Sequence, residues 1–250
     1  MRIAFDAAPL LDEHMSGVGH CEAGLALALQ RLYPEHAYIF NYFSVRGSAG
    51  KRQRLSPYML PGSETNTPTF SPLVYRMMTQ FIPVPYRWFF GNKADITHYF
   101  NYIVPPGVSG RTLVTVHDMV IRAFPETMRA RTKTLLRVGL GRIHRSRCCA
   151  SRLPLPLPAS APGASAPTAL HKPGSAAAGS FSAPSLPEVT GDCAVQIDPY
   201  DLDSMAQGME QLYTDAALRQ DLAARGRERA KTLTWDAAAQ DLMQVYQELI

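Results

Sequence analysis

Hydrophobic and polar positions along the first 45 residues follow the order of a parallel α/β unit. Residues 2–7 form a short apolar run that predicts a buried strand, and a loop containing glycine follows it. Leucines spaced three and four apart then predict a helix over 21–32. The aromatic and β-branched run 38–43 predicts a second strand. Strand, loop, helix and strand in this order form a right-handed parallel crossover.

The residues that follow continue this alternation after a long polar interruption. Residues 45–70 are polar and contain Gly, Pro and Ser, which predicts a long loop. Two short helices are predicted directly after Pro72, and strands over 96–100 and 112–116. A helix is predicted over 126–145, because a proline and an acidic residue favour its first turn.

Regular periodicity stops in the middle of the chain. Of the 41 residues 147–187, 28 are Ala, Ser, Pro or Gly, a composition that buries too little apolar surface to offset the entropy of ordering. No acidic residue lies between Glu126 and Glu188, although nine Lys and Arg do. The segment is therefore predicted to be a disordered linker. The alternative is a stretch translated out of frame across a deletion, since GC-rich DNA in the wrong frame favours Ala, Pro, Arg and Ser.

The end of the chain is predicted to be mostly helical. A strand over 193–197 precedes two helices, and Thr234 caps a third helix that has one apolar stripe. The predicted fold class is α/β. It comprises a Rossmann-like parallel sheet domain over 1–146, the linker over 147–184 and a small, mostly helical carboxy-terminal remnant over 185–250.

Composition and charge exclude several classes of protein. With 46% apolar and 18% charged residues, the chain is neither a disordered polyelectrolyte nor a coiled coil rich in Glu and Lys. Its basic residues are spread among prolines without a recognisable module, which argues against nucleic-acid binding. Four irregularly spaced cysteines without a C-x-x-C pair predict neither a disulfide framework nor a metal site. A cytoplasmic location is expected, because no signal peptide or long apolar stretch is found.

Two short segments carry candidate chemistry. Gly17 and Gly19 lie between the first strand and its helix, where backbone amides can approach a phosphate, although a tight turn alone explains a G-x-G equally well. His117 and Asp118 directly follow an apolar strand, and open α/β sheets bind ligands at the carboxyl ends of their strands. The alternative for this pair is a helix-capping aspartate beside a histidine that serves only the fold.

A third segment, residues 72–93, interleaves aromatic side chains with Arg76, Arg87 and Lys93. Packing in the core explains the aromatic residues. Basic and aromatic side chains together also fit the surface of an anionic bilayer. Peripheral contact with the inner membrane face is therefore a second expectation for this segment.

Motifs at both ends of the chain share one resemblance. They are the start 1–7, SGVG 16–19, VHDM 116–119, FPE 124–126, SLPEV 185–189, GDCA 191–194 and IDP 197–199. In this order they resemble the retaining glycosyltransferases of the group 1 type, also called family 4, which have the GT-B fold. The resemblance covers roughly residues 1–146 and 185–250.

This resemblance implies two Rossmann-like domains that face each other across a cleft, the first binding an acceptor and the second a nucleotide-sugar. It implies transfer of a hexose from the nucleotide-sugar to a glycan or lipid-linked acceptor with retention, as in cell-wall or polysaccharide biosynthesis. The loop of Gly17 and Gly19 would face the donor diphosphate. His117 would contact the transferred sugar, and Asp118 would support it. The nucleotide-sugar is a substrate, and neither a metal nor another cofactor is expected.

The chain departs from the family pattern in its second half. The family's basic pair at the donor diphosphate is absent, and so are its two glutamates separated by seven residues. Between Arg145 and Ser185, on the order of a hundred residues of a second Rossmann-like domain are missing. The alternative function is therefore a catalytically inactive, truncated remnant that at most binds an acceptor or a membrane surface.

Overall fold

The structure is a computed structural model that describes residues 1–45, 49–101, 104–117, 148–151, 179–181, 189–198 and 200–250. In those ranges the strands are β1 Arg2–Asp6, β2 Ala37–Asn41, β3 Glu64–Asn66, β4 Ile96–Tyr99, β5 Arg111–Thr115, β6 Cys148–Ser151, β7 Gly179–Phe181 and β8 Val195–Ile197. The α-helices are α1 Gly17–Leu32, α2 Ala49–Leu55, α3 Pro72–Phe81, α4 Arg87–Phe90, α5 Leu202–Thr214, α6 Ala216–Thr232 and α7 Trp235–Leu249.

Six of these strands form one parallel sheet in the order β3-β2-β1-β4-β5-β6. β1 lies inside the sheet, with Ile3 opposite Tyr38 on one side and Ile96 on the other. The chain builds outward from β1 to β3, returns to β4 and builds outward in the opposite direction. This order is that of a doubly wound sheet, so the predicted α/β class is confirmed.

The interior residues of the central strands are completely buried, as expected for parallel strands covered on both faces. Ile3 and Phe5 of β1 have no exposed surface, and the same holds for Leu25 and Leu29 of α1. The Tyr38 hydroxyl of β2 donates to the Leu29 carbonyl over 2.9 Å and joins the carboxyl end of α1 to the sheet. The apolar runs that predicted these strands and this helix therefore form the core.

The polar stretch 45–70, predicted as a loop, contains α2 and β3. One apolar residue, Leu55, is completely buried at the end of α2. Arg54 donates to the Leu11 carbonyl over 3.0 Å and to Glu13 Oε1 over 2.7 Å, which anchors the same helix. β3 is added to the edge of β2 by backbone pairing. The loop prediction was wrong here because a single buried residue gives no hydrophobic period.

Two short strands lie within 147–184, where no strand was predicted. β6 pairs with β5, and β7 pairs with β8 in a separate two-stranded parallel sheet. Strands pair through backbone groups, so these two short strands can form without an alternation of apolar and polar residues that would predict them. The rest of the predicted linker and the predicted helix over 126–145 lie outside the described residues.

The chain divides into two compact units, and the first is discontinuous in sequence. Unit 1 contains residues 1–153 and 239–250, and unit 2 contains residues 154–238. The greater part of α7 therefore belongs to unit 1, where Leu242 and Tyr246 are completely buried. Among the described helices, none combines the length and the apolar character needed to cross a bilayer.

Candidate functional site

Polar residues lie at the carboxyl ends of the parallel strands in the large sheet. We call this end of the sheet its carboxyl edge. β1 and β4 are neighbours where the strand order reverses, and open α/β sheets bind ligands in the crevice at this point. Asp6 ends β1, and His117 lies two residues beyond the end of β5. This edge of unit 1 is therefore the candidate site.

His117 has its ring fixed by one hydrogen bond. Its Nε2 atom lies 2.8 Å from the carbonyl oxygen of Phe100. A carbonyl oxygen only accepts, so Nε2 carries the proton and donates. In the neutral ring Nδ1 is then an acceptor. His117 can accept a hydrogen bond from a ligand hydroxyl while the backbone of Phe100 holds its orientation.

A second histidine, His98 on β4, is completely buried. Its Nδ1 lies 2.7 Å from the Tyr246 hydroxyl, and its Nε2 lies 2.8 Å from Thr115 Oγ1. Burial, followed by the neighbouring His117, lowers the pKa of His98 to about 3, so this ring is neutral at physiological pH. Because both ring nitrogens are used, His98 joins β4, β5 and α7 and does not face a ligand.

Asp6 is the titratable group at this edge that is best suited to proton transfer. Burial raises the pKa of its carboxyl from 3.8 to about 7, although a hydrogen bond from the Ala8 backbone opposes the shift. A carboxyl with this pKa is populated in both protonation states near neutral pH. Groups that act as a general acid or base in enzymes are tuned to this range.

Glu22 on α1 is a second buried carboxyl that interacts with Asp6. It has no exposed surface, and neither carboxyl oxygen has a hydrogen-bond partner in the described part of the chain. Burial, and then the negative charge of Asp6, raise the pKa of Glu22 well above its ordinary value. Both causes disfavour the charged form of Glu22, so the environment of this pair opposes two negative charges side by side.

Sequence reasoning missed Asp6, Glu22 and His98 as candidates, although two of them left a signal. Asp6 ends an apolar strand, which is the pattern that identified His117. Glu22 shares the buried face of α1 with Ala26 and Leu29, where a carboxylate is unexpected. No sequence signal distinguishes His98 from an ordinary strand residue, because its two partners come from distant segments.

Gly17 and Gly19 lie in the first turn of α1, after β1. Ser16 caps the helix by accepting a hydrogen bond from the Gly19 amide over 3.4 Å. A Cβ atom on Gly19 would lie 2.8 Å from the Pro9 carbonyl oxygen and would overlap Met15. On Gly17 a Cβ would have no atom within 4 Å. Close packing accounts for glycine at position 19, whereas the Gly17 side of the turn is open.

The two glycines are expected to respond differently to the same substitution. Gly19→Ala is expected to lower the free energy of unfolding by about 2 kcal/mol, since a methyl group there overpacks the loop. Gly17→Ala should leave stability unchanged or raise it by up to about 1 kcal/mol, because alanine favours the helix. Urea denaturation measures both. Equal losses in the two variants would contradict the role of packing at Gly19.

The remaining predicted site residue, Asp118, lies outside the described residues. Across the ranges that the structure describes, no three His, Cys, Asp or Glu residues cluster in a way that could hold a metal ion. The described site therefore consists of His117, Asp6 and the open first turn of α1.

No known protein family and no curated protein matches this chain by sequence. Among solved structures, it is similar to sucrose-phosphate synthase from Thermosynechococcus elongatus, with 11% identity over 99% of this chain and 45% of that one, at a TM-score of 0.24. It is also similar to a trehalose-6-phosphate synthase from Burkholderia multivorans. The identity is 9%, the match covers 99% of this chain and 42% of that one, and the TM-score is 0.23. The chain thus spans less than half of each of these proteins. TM-scores this low carry no argument about fold or function, so the α/β assignment stands on the sheet topology alone.

Proposed function

We propose that this chain is a glycosyltransferase-type protein that transfers a hexose from a nucleotide-sugar to a glycan or lipid-linked acceptor with retention. One observation carries the proposal. The carboxyl edge of the doubly wound sheet holds His117, whose Nδ1 is an acceptor, and Asp6, whose pKa is about 7. The motif resemblance at both ends of the chain supports the same activity.

Each residue of the site has a role in this proposal. His117 accepts a hydrogen bond from a hydroxyl of the transferred sugar, with Asp118 supporting it. Asp6 exchanges a proton with the acceptor hydroxyl, as its pKa near neutrality permits. The first turn of α1, open at Gly17, faces the donor diphosphate, whose developing charge the helix amino terminus favours. Gly19 shapes this turn. The nucleotide-sugar is a substrate, and no metal or cofactor takes part.

A second candidate is a catalytically inactive, truncated remnant that at most binds an acceptor or a membrane surface. The observation that favours it is the lack of the basic pair and the glutamate pair expected in a donor-binding half. Without those groups, little in the chain would stabilise a departing nucleoside diphosphate. In both candidates the protein acts in the cytoplasm, with peripheral membrane contact where the acceptor is linked to lipid.

Isothermal titration with a panel of UDP- and GDP-sugars distinguishes the two candidates. If the chain is a transferase, at least one nucleotide-sugar binds saturably. His117→Ala is then expected to weaken this binding at least tenfold, about 1.4 kcal/mol, because the hydrogen bond to the sugar is lost. His36→Ala is the matched control. His36 directly precedes β2 and therefore lies at the amino ends of the parallel strands, whereas His117 lies at their carboxyl ends.

The outcomes lead to different conclusions. Saturable binding that depends on His117 and not on His36 supports the transferase. A folded protein that binds none of the nucleotide-sugars supports the acceptor-binding remnant. Binding that is insensitive to both His117→Ala and Asp6→Asn would contradict the site at the sheet edge.

A further inference from the structure

The helices α3 and α4 pack on one hydrophobic cluster of unit 1. Its buried members are Tyr75, Val84, Tyr86 and Phe90. The ring of Tyr75 lies 5.3 Å from that of Phe89, and the rings of Tyr86 and Phe90 are stacked at 4.2 Å. The inner faces of both helices are therefore packed in the core.

The outer faces of the same helices are also apolar. Leu73, Met77 and Phe81 follow one another at intervals of four residues, so they form one stripe along α3 on the side away from Tyr75. Phe81 is 83% exposed, and Trp88 of α4 is 73% exposed. We call Leu73, Val74, Met77, Phe81, Ile82 and Trp88 the outer apolar face. Clustered exposure of this kind marks an interaction surface, whereas single exposed apolar residues are ordinary.

The charged residues of the segment that carries the outer apolar face have one sign. No Asp or Glu occurs between Glu64 and Asp95. Arg76, Arg87 and Lys93 lie in this interval, and all three are exposed. A partner that covers the face must therefore be apolar where it meets the stripe and anionic around it. A second copy of this chain fails the charge condition, because a symmetric contact would bring the same three cations together.

We propose that the outer apolar face binds the surface of a bilayer that contains anionic lipid. Phe81 and Trp88 insert among the lipid head groups, where large aromatic side chains are favoured. Arg76, Arg87 and Lys93 contact lipid phosphates. The proposal assigns the peripheral membrane contact of the proposed function to a surface of unit 1. Because this surface is separate from the sugar-binding residues, the two proposals can fail independently.

Tryptophan fluorescence of the full chain tests this proposal directly. The chain has two tryptophans, so Trp235→Phe leaves Trp88 as the sole emitter. The probes are vesicles of phosphatidylcholine with and without phosphatidylglycerol, in the absence of any sugar. A blue shift of Trp88 and quenching by brominated lipid are expected only with phosphatidylglycerol, and both should weaken as salt is added.

Surface variants identify the groups that bind. Phe81→Ser with Trp88→Ser is expected to reduce vesicle partitioning, followed by sedimentation, at least tenfold. The control is Tyr200→Ser with Tyr213→Ser, since these aromatic residues of unit 2 are 77% and 86% exposed. Replacing Arg76, Arg87 and Lys93 by Gln should weaken binding to anionic vesicles about 100-fold, from about 1 kcal/mol per cation.

Two results would overturn the proposal. One is that the wild-type chain does not bind phosphatidylglycerol vesicles although circular dichroism shows that it is folded. The other is a dimer in solution that the Phe81 and Trp88 substitutions dissociate, because the face would then be covered by a second copy. Failure of vesicle binding would leave the sugar-binding proposal standing, and loss of nucleotide-sugar binding would leave this one standing.

Discussion

Glu22→Gln is expected to raise the free energy of unfolding at pH 8 by about 3 kcal/mol, the order of the cost of keeping a buried carboxyl without a hydrogen-bond partner at a pH where the unfolded chain is ionised. The Glu22 carboxyl is completely buried, its oxygens have no partner in the described residues, and Asp6 disfavours its charge. Ionisation therefore costs more in the folded protein than in the unfolded chain. An amide of the same shape removes this cost. Denaturant titrations at several pH values measure the difference.

The sign of the pH dependence follows from the raised pKa of Glu22. The folded protein retains a proton that the unfolded chain loses, so the stabilisation is complete below about pH 4.5 and decreases as the pH rises. Asp6 contributes in the same direction between about pH 4 and pH 7. Glu22→Gln should therefore match the wild type near pH 4 and exceed it at pH 8.

Glu248→Gln is the matched control, because Glu248 is exposed and belongs to the same unit. Its stability should follow that of the wild type at every pH. A uniform loss of stability in Glu22→Gln at all pH values would contradict the prediction. It would show that the carboxyl makes a specific hydrogen bond that the amide cannot replace.

Leu242→Ala is expected to lower the free energy of unfolding of unit 1 by about 3 kcal/mol, within the range for a leucine deleted from a packed core. Leu242 has no exposed surface, and it lies on the same helix as Tyr246, whose hydroxyl bonds the buried His98. The loss should appear in the unfolding transition reported by unit 1.

Leu202→Ala provides the comparison for this substitution. Leu202 begins α5 in unit 2 and is 79% exposed, so its removal leaves no cavity. A change of less than about 0.5 kcal/mol is expected there, as for ordinary surface positions. If Leu242→Ala were as mild as Leu202→Ala, the carboxy-terminal residues would contribute little to unit 1.

Much of the sheet could be predicted because its strands are buried on both faces. The runs at 2–7, 38–43, 96–100 and 112–116 each overlap an observed strand, with starts that differ by at most one residue. The apolar stripe of α1 was equally plain, although the helix begins four residues earlier than predicted, at Gly17, because Ser16 caps it. Patterns of this kind record burial, so they fail where a segment is held by backbone pairing or by one side chain. β3, β6 and α2 are of that type.

The candidate site was only partly predictable. The position of His117 follows from the end of a strand, and the same rule applied to β1 would have given Asp6. The orientation of the His117 ring depends on the Phe100 carbonyl, 17 residues away, which no local pattern encodes. To predict Glu22 as a site residue, one would have to know that its face of α1 is buried beside the carboxyl of Asp6. Local sequence therefore identifies which residues lie at the carboxyl ends of the strands. Tertiary contacts determine the protonation states of those residues.

The discontinuity of unit 1 also determines when the protein can fold during its synthesis. Residues 239–250 complete this unit and are made after all of unit 2. Until they are made, His98 lacks the hydroxyl of Tyr246, and unit 1 lacks the buried side chains of Leu242 and Met243. Unit 1 therefore completes its core only after the residues of unit 2 have been synthesised.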